Sequence, residues 1–473
     1  MNILYCLSGI LGQKMGKLKL NAVLITAVTA FLTLAFFSRQ PHGKKSDSNT
    51  PLILWWTKEL YPHILKSGNE NDIHDVYCPR SGLTCQSTQN REVLEEDGNR
   101  LISVFIYGTD FRAYEAPLPR KPNHLWALFH EESPQNNHML CHMEALSVFN
   151  YSATFKRKSD FPLTTQHFPN KKYITSRKPI SIEEKNRLRK EGLAPIVYLI
   201  SHCDVPSDRD RYVYNLMGNI SIDSYGACLH NKDFKDKSLT NTGKMLDDEL
   251  YDILAKYKFQ IAFENSNCDD YITEKFTRPF HIGSVPIYKG SSSARDWAPS
   301  PYSVIMVDDF ESPASLAEFI RHLDENDEAY LKYLDYKNSD VIPNSLLRET
   351  LENRTWTLDG NDHNNFVGGY ECYLCEQMHE LKNRGESGQP IIPRVVPHSH
   401  LDCPPPEPSF GTIADIPPNN PFHNWVNDYW QSLDQAVALR DMVRDQVTDP
   451  EHLWSYIERR YHSGHGALQH TEL

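Results

Sequence analysis

The sequence predicts an α/β protein built on parallel sheets, and two patterns lead to this prediction. Short apolar or β-branched runs recur along the chain and are continuous rather than alternating, which is typical of strands buried on both faces. Amphipathic stretches separate several of these runs, such as Leu246–Tyr257 and Ala314–Tyr333. The predicted strands lie at Pro51–Trp56, Leu101–Tyr107, Leu125–Phe129, Pro195–Ile200, Phe259–Phe263, Val285–Tyr288 and Ser303–Val307.

A chain of 473 residues has room for two or three domains. The charged segment 170–192 has few apolar residues and predicts a linker or surface helix between a first domain, 51–191, and a second domain, 192–376. Pro390–Pro421 is rich in proline and predicts an extended surface segment within a C-terminal part, 377–473. An apolar stripe from Val426 to Val437 has helical spacing, and we expect it to dock on the body of the protein.

The N-terminus predicts a transmembrane anchor. Leu20–Phe37 is uncharged and mostly apolar, and about 18 residues is near the lower limit for a helix that spans a bilayer. A cleaved signal peptide is the alternative, although its apolar core is usually shorter, roughly 7–15 residues. The anchor would leave 1–19 as a cytosolic tail and 38–50 as a stem. Basic residues flank the stretch on both sides, so charge alone does not decide its orientation.

Cysteines and glycosylation sequons point to an oxidising compartment. Cys78 with Cys85, and Cys372 with Cys375, lie near the two ends of the body and fit either zinc ligands or disulfides. Six residues separate the first pair, too many for a usual zinc knuckle, so disulfides that join the two ends fit better. Candidate N-glycosylation sites are Asn150, Asn219 and Asn353. With the anchor, these features predict a single-pass type II membrane protein of the Golgi or endoplasmic reticulum whose body is lumenal.

The charged stretch Phe263–Gly290, "FENSNCDDYITEKFTRPFHIGSVPIYKG", predicts a ligand site at the end of a buried strand. Ligands of open α/β sheets bind beyond the carboxyl ends of the strands, and here the strand ends at Glu264-Asn265. The following helix would point its backbone N–H groups and Lys275 at the loop, an arrangement that favours a phosphate. An ordinary ion pair on a solvated helix face is the alternative. The net charge of −13 argues against a nucleic-acid partner.

The same stretch resembles the signature of the α-1,3-fucosyltransferases, glycosyltransferase family ten, in which FEN, a short loop, DYITEK and GxVPVxxG follow in order. "HEESP" (130–134) resembles the acidic motif of that family, "FNYSATFKRKSD" (149–160) its FNxTxxYRxDSD segment, and "YECYLC" (370–375) its terminal CxxC. "YGTDF", "PLPRK" and "HEESP" are most similar to the divergent animal branch of fucosyltransferases ten and eleven. Phe155 and Lys158 depart from the usual tyrosine and aspartate, which affects the acceptor side more than the donor side.

This resemblance implies a GT-B fold, two Rossmann-like domains that face each other across a cleft, and an inverting transfer from GDP-fucose. Glu132 is the implied general base, with the adjacent Glu131 as the alternative. Arg209, or Arg211 in its place, and Lys275 are the implied partners of the diphosphate. The resemblance places the donor against a further set of residues, Tyr225 for the guanine, Glu274 for sugar hydroxyls, and Asn265 and Tyr271 to complete the pocket.

The family pattern also implies that no cofactor and no metal are needed. The acidic pairs Asp269-Asp270 and Asp308-Asp309 are the alternative, because paired carboxylates can bind a cation. The pattern pairs Cys78 with Cys372 and Cys85 with Cys375. The five remaining cysteines of the lumenal body are odd in number, so at least one is expected to be unpaired within the chain. A bridge from Cys268 to Cys203 or Cys228 would hold the donor loop.

Two acceptors are compatible with such a site. One is the O3 hydroxyl of N-acetylglucosamine in an N-glycan, and the other is a Ser or Thr hydroxyl on a folded protein domain. A lumenal binding protein that kept the fold without catalysis is the competing class of function.

Overall fold

The computed structural model describes residues 49–58, 61–63, 72–95, 98–356, 365–390, 394–464 and 466. Over these residues the chain forms two α/β units, each built on its own sheet of mainly parallel strands, which confirms the predicted fold class. The predicted anchor, 20–37, lies outside the described residues, as do the tail and most of the stem. Among the helices that are described, none combines the length and the apolar character needed to cross a bilayer.

The first unit contains a six-stranded sheet, formed by β1 Leu52–Trp55, β2 His74–Cys78, β3 Leu83–Thr88, β4 Ile102–Tyr107, β5 His124–His130 and β6 Tyr151–Thr154. Its strand order is β2-β3-β1-β4-β5-β6. β2 pairs with β3 in antiparallel fashion, and every other pair in this sheet is parallel. The carboxyl ends of β1, β4, β5 and β6 therefore lie along one edge.

The second unit contains an all-parallel five-stranded sheet, formed by β7 Ile196–Tyr198, β8 Ile222–Ser224, β9 Phe259–Phe263, β10 Val285–Lys289 and β11 Ile305–Met306. Its strand order is β11-β10-β9-β7-β8. The α-helices of the described chain are α1 Met143–Leu146, α2 Lys171–Thr175, α3 Ile182–Lys190, α4 Arg209–Met217, α5 Asp248–Leu254, α6 Glu274–Ile282, α7 Pro313–Glu325, α8 Asp327–Leu331, α9 Ser345–Asn353, α10 Phe366–Glu386, α11 Phe422–Arg444 and α12 Leu453–His462.

Both faces of the first sheet are buried, and this explains why its strands are continuous apolar runs. Along β1, Leu52 and Leu54 enter one hydrophobic cluster, while Ile53 and Trp55 enter another on the opposite face. Side chains of α11 complete the first cluster, and side chains of α10 complete the second. The apolar stripe predicted to dock on the body is thus a face of α11 that packs on the first unit.

Helix α10 crosses the predicted domain boundary at 376 and lies on the first sheet, although the sequence assigned 366–376 to the second domain. Two disulfides attach it, Cys78–Cys372 and Cys85–Cys375, in the pairing that the family resemblance implied. Buried Glu371 adds a polar anchor, since its carboxylate accepts a hydrogen bond of 2.7 Å from the Trp55 indole. The two ends of the body therefore belong to one unit.

The segment 170–192 packs on the second unit instead of forming a free linker. Lys185 of α3 is buried, and its ammonium donates to the carbonyl oxygens of Tyr257 at 2.9 Å and Gly283 at 2.8 Å. A buried ammonium needs such partners because leaving it unpaired is costly. Helix α3 is therefore the surface helix that the sequence offered as one alternative, and Lys185 is its buried residue.

The remaining cysteines pair differently from the expected bridge at the donor loop. Cys203 pairs with Cys228, and Cys268 pairs with Cys403, which lies in the proline-rich segment. Cys141 is a free, buried thiol, as the odd number of cysteines required. The expectation of a bridge from Cys268 to Cys203 or Cys228 was therefore wrong, because a partner far along the chain lies against the donor loop.

The sequon at Asn150 is not an accessible glycosylation site in this fold. Asn150 is buried, its Nδ2 donates to the Arg394 carbonyl at 2.7 Å, and its Oδ1 accepts from the Trp126 N–H at 2.9 Å. A glycan on Nδ2 would break these contacts and has no room, so this candidate was wrong. Asn219 and Asn353 are exposed and remain candidate sites.

Candidate active site

The carboxyl edges of the two sheets meet where the acidic motif faces the donor stretch. Ser133, just after β5, donates from its Oγ to Asn265 Oδ1 at 2.8 Å and lies 3.3 Å from Ser266 Oγ. Asn265 in turn follows β9, and its carbonyl accepts from the Ser207 N–H at 3.1 Å. The predicted donor residue Asn265 thus joins the two units beside Glu132.

Glu132 faces the second unit. Burial raises the pKa of its carboxyl above the ordinary value, the negative charge of Glu274 raises it further, and Lys275 opposes this rise. The charges of α6 therefore act directly on the predicted base. A raised pKa makes this carboxylate a stronger base than an exposed glutamate.

Glu131 points the other way, into the first unit, as adjacent residues of an extended chain must. Its carboxyl is buried and accepts from the Tyr107 hydroxyl at 3.4 Å, while its second oxygen has no hydrogen-bond partner among the described residues. Burial, together with the charge of Glu132, raises its pKa to about 8. Glu131 is therefore mostly protonated at neutral pH and is the poorer candidate for a base.

Helix α6 presents Glu274 and Lys275 at its N-terminus. Thr273 caps the helix, and the Lys275 ammonium lies 3.1 Å from both the Glu274 carboxylate and the Thr273 hydroxyl. Burial alone would raise the pKa of Glu274, but the charges of Lys275, His167 and Arg278 outweigh it and lower that pKa to about 2. Glu274 is therefore an anion at neutral pH, held beside a cation at a helix N-terminus.

Glu264 stabilises the N-terminal end of α6. Its buried carboxylate accepts from the Thr273 N–H at 2.8 Å and from the Thr273 hydroxyl at 2.7 Å. A Cβ on Gly290 would lie 2.8 Å from Glu264 Cγ, so the glycine that ends the charged stretch makes room for this carboxylate. The beginning and the end of the stretch thus lie against each other, and Glu264 positions the start of α6.

His167 of the first unit also lies at this junction, although it was not among the predicted site residues. Burial lowers the pKa of His167 to about 4, so its imidazole is neutral at neutral pH and becomes charged only in the acid range in which Glu274 titrates. The segment "TTQHFPN" contains no motif that would have identified it. Only the fold brings this residue to α6.

The two candidate arginines are both engaged inside the second unit. Arg209 is buried, and its guanidinium donates to the carbonyls of Phe263 at 3.0 Å and His202 at 2.7 Å. Its Nε has no hydrogen-bond partner among the described residues. Arg211 instead donates to Asp208 at 2.7 Å and to the Phe410 carbonyl at 2.7 Å. Arg209 thus holds the end of β9, directly before Glu264, whereas Arg211 holds the proline-rich segment.

The two candidate tyrosines occupy different places. Tyr271 is buried beside Asp270 and packs edge-on against Phe155 of the first unit, with 5.1 Å between ring centroids. Tyr225 lies in an aromatic cluster of the second unit, stacked on Phe234 at 4.2 Å, and its hydroxyl lies 2.9 Å from that of Tyr257. Tyr271 is therefore part of the junction, and Tyr225 is buried in the unit that would bind the nucleotide.

The acidic pairs considered as a metal site are engaged with basic or hydroxyl groups. Asp270 is paired with Arg157, and Asp308 lies 2.9 Å from the Lys289 ammonium. Asp269 accepts from Ser292, and Asp309 from Arg295. Within the described chain, the two groups of side chains close enough to share an ion are centred on the disulfides Cys85–Cys375 and Cys203–Cys228, whose sulfurs are not thiolates.

Comparison with known proteins assigns the family. The profile described as "Glycosyltransferase family 10 (fucosyltransferase) C-term" matches residues 188–391, and the profile "Fucosyltransferase, N-terminal" matches residues 48–166. The chain belongs to glycosyltransferase family 10, the fucosyltransferases. It is therefore a glycosyltransferase, and the family resemblance of the charged stretch is confirmed. The C-terminal part, from 394 onwards, lies beyond both matches.

Relatives extend over most of the chain. GDP-fucose protein O-fucosyltransferase 3 of Homo sapiens is 40% identical over 410 residues, which cover 86% of this chain and 82% of the relative. The protein of the same name from Xenopus laevis is 39% identical over 407 residues, covering 86% and 83%. A crystal structure of an α1,3-fucosyltransferase with GDP aligns with 78% of this chain and 97% of its own, at 15% identity and a TM-score of 0.40.

Proposed function

We propose that this enzyme transfers L-fucose from GDP-fucose to a Ser or Thr hydroxyl of a folded protein domain, with inversion at the anomeric carbon. The observation that carries the proposal is the arrangement at the junction of the units. There the Glu132 carboxylate of the first unit faces the Glu274–Lys275 pair at the N-terminus of α6. In the GT-B arrangement that we infer, the first unit receives the acceptor and the second receives the donor.

The chemistry is a single displacement. Glu132 accepts the proton of the acceptor hydroxyl as that oxygen forms a bond to the anomeric carbon of fucose. The bond from this carbon to the diphosphate breaks, and GDP leaves with the electron pair. Lys275 and the N–H groups at the start of α6 stabilise the negative charge that develops on the diphosphate. Glu274, an anion in this site, accepts hydrogen bonds from sugar hydroxyls of the donor.

We assign Arg209 a structural role at the donor site, where it stabilises the backbone at the base of the pocket. Its two carbonyl contacts hold the end of β9, from which Glu264 and Asn265 extend toward the junction. Tyr225 and the aromatic residues around it lie in the unit that would hold the guanine, and we retain Tyr225 as a wall of that subsite.

A protein acceptor is favoured by the relatives, which are named protein O-fucosyltransferases, and by aromatic residues at the acceptor edge. Trp56 follows β1 and Tyr114 follows β4, at the same sheet edge as Glu132 after β5. Tyr114 is 42% exposed and stacks on Trp454, which is 57% exposed. Exposed aromatic side chains held in place by packing are typical of surfaces that contact other proteins.

The orientation of the unit fits a lumenal enzyme on a type II anchor in the Golgi or endoplasmic reticulum. The described chain begins at the amino ends of the strands, where the Thr50 carbonyl accepts from Arg100 at 2.6 Å. Glu132 follows the carboxyl end of β5, a strand of seven residues that spans roughly 23 Å. A membrane attached at the first edge would leave the catalytic edge open to the lumen.

Mass spectrometry of secreted proteins from cells that lack the chain, and from the same cells complemented with it or with Glu132→Gln, tests the proposal. Peptides are examined after enzymatic release of N-glycans. We expect the added fucose on Ser or Thr only in the cells that are complemented with the unaltered chain. If fucose is gained only on N-glycans, the acceptor is N-acetylglucosamine and not a Ser or Thr hydroxyl. Identical glycosylation in all three cell lines, with GDP binding retained by the purified protein, would favour a non-catalytic binding protein.

A further inference from the structure

A cross-unit ion pair holds the loop that leads into α6. Arg157 belongs to the first unit, and Asp270 belongs to the loop between β9 and α6. The Arg157 guanidinium donates to Asp270 Oδ1 from Nε at 2.8 Å and from Nη2 at 2.6 Å, and its Nε also lies 3.0 Å from Oδ2. The backbone N–H of Arg157 adds a bond of 3.0 Å to Oδ2. The carboxylate is therefore gripped by both the side chain and the backbone of one residue.

Asp270 is also fixed from within the second unit. Trp297 donates to Oδ1 at 3.0 Å from its indole, and Ser293 donates to Oδ1 at 2.8 Å. The Asp270 backbone has φ of 63°, in the left-handed region that non-glycine residues rarely adopt. A residue in this conformation persists where its surroundings hold it, and such residues cluster at functional sites.

The guanidinium of Arg157 is itself built into the second unit. It lies over the Trp297 ring, with 4.5 Å from Cζ to the centroid, and its Nη1 donates to Asp296 at 2.9 Å. A planar fork that stacks on an aromatic ring and binds a carboxylate with two nitrogens is a geometry that lysine does not reproduce. Arg157 thus contacts three residues of the opposite unit.

The same loop has two further attachments to the first-unit side. Tyr271 packs on Phe155, two residues before Arg157. Cys268 is bridged to Cys403, whose carbonyl accepts from the Tyr429 hydroxyl of α11 at 3.0 Å. Three positions of the loop 268–271 are therefore held from the first unit, and the loop ends two residues before the cap of α6.

We propose that Arg157 is a positioning residue of the donor site, which sets the start of α6, with Glu274 and Lys275, through its grip on Asp270. Donor binding would then depend on the relative position of the two units, because the loop is held from the acceptor side. This inference rests on the proposed function only for the identity of the nucleotide.

The variant Arg157→Lys keeps the charge and removes the fork, so it isolates this geometry. Arg189 provides the matched control, because it forms a similar fork with Asp324, at 3.1 and 2.9 Å, within the second unit and outside the donor loop. Side-chain exposure is also similar, 30% for Arg157 and 27% for Arg189. GDP affinity is measured by calorimetry below the melting temperature of each protein, and thermal unfolding is recorded separately.

We expect Arg157→Lys to weaken GDP binding by about tenfold or more, since one lost charge-assisted contact has that worth, and to raise the KM for GDP-fucose. Arg189→Lys should lower the melting temperature to a similar extent and leave GDP affinity within about twofold. Combining Arg157→Lys with Asp270→Asn should cost less than the sum of the two single changes, because both remove the same contact.

Arg157→Lys with wild-type GDP affinity and a lowered melting temperature would overturn the proposal and leave a purely structural ion pair. If Arg157→Lys does not fold, Trp297→Phe takes its place, because phenylalanine keeps the aromatic face and removes the N–H donated to Asp270. Weaker GDP binding by Trp297→Phe would support the role, and unchanged binding would refute it. If the wild-type chain binds no GDP, the donor site itself is refuted. That outcome is distinct from a loss of GDP binding seen only in the variants.

Discussion

Replacing Glu132 by glutamine is the most direct test of the catalytic assignment. The amide preserves size and burial at the junction and cannot accept the proton of the acceptor hydroxyl. A general base is worth roughly 10²–10⁴-fold in rate, which corresponds to about 3–5 kcal/mol in the activation free energy. GDP affinity should be unchanged or slightly higher, because the substitution removes a negative charge that faces Glu274 and Lys275.

Glu131→Gln is the matched control, since it makes the same chemical change one residue away. Burial raises the pKa of Glu131 to about 8, so at pH 7 about nine-tenths of the molecules carry a neutral acid there. An amide is then a close substitute, and we expect activity within about threefold of wild type. Initial rates of GDP release at saturating GDP-fucose measure both variants. A dead Glu131→Gln beside an active Glu132→Gln would refute the assignment and the argument from burial.

Three further predictions follow from the site and from its support. Lys275→Ala should weaken GDP binding by about 1.5–3 kcal/mol, and guanosine binding by less, in titration calorimetry. Glu274→Gln removes a like charge and so lowers the raised pKa of Glu132; because the base must be ionised, the acid limb of the kcat/KM profile should move to lower pH. Replacing Cys85 and Cys375 by alanine should lower the free energy of unfolding by only about 3 kcal/mol, because the neighbouring bridge still closes the long loop. Removing both bridges should lower it by about 8 kcal/mol. Denaturant unfolding measures both losses.

The strands that the sequence predicted are the continuous apolar runs, and β2, β3 and β8, which carry polar or charged residues, were not predicted. β6 was missed, since "YSAT" alternates polar and apolar residues. Its polar side chains are nonetheless buried, because the Ser152 hydroxyl lies 2.8 Å from His400 Nδ1 and the Thr154 hydroxyl donates to the His400 carbonyl at 2.6 Å. The partner lies almost 250 positions away, so no local pattern could indicate this strand.

The candidate donor half of the site was predictable because it is nearly continuous in sequence. One stretch supplies the strand end, the cap and the helix start, and each of these has a local signature. The acceptor half is assembled from separate parts of the first unit, and neither His167 nor the grip of Arg157 on Asp270 has a signature at any fixed spacing. The local pattern therefore predicted Lys275 directly, whereas Glu274 and Glu132 were reached only through the resemblance to the family.

The errors that remain come from contacts of the proline-rich segment, which is the extended and largely exposed segment that its composition predicted. A few of its residues are buried, and together with its backbone they complete polar groups in both units. Asn150 donates to the Arg394 carbonyl, Thr154 to that of His400, and Cys268 is bridged to Cys403. In the second unit, Ser409 donates to Asp208 at 2.9 Å, beside the arginine that holds the end of β9. From residue 392 onwards the segment lies outside the part of the chain that matches the family profiles, yet it joins the acceptor side, the donor loop and the start of α4 in a single path. The relative position of the two units, and with it the approach of Glu132 to α6, therefore depends on residues that carry no signature of the reaction.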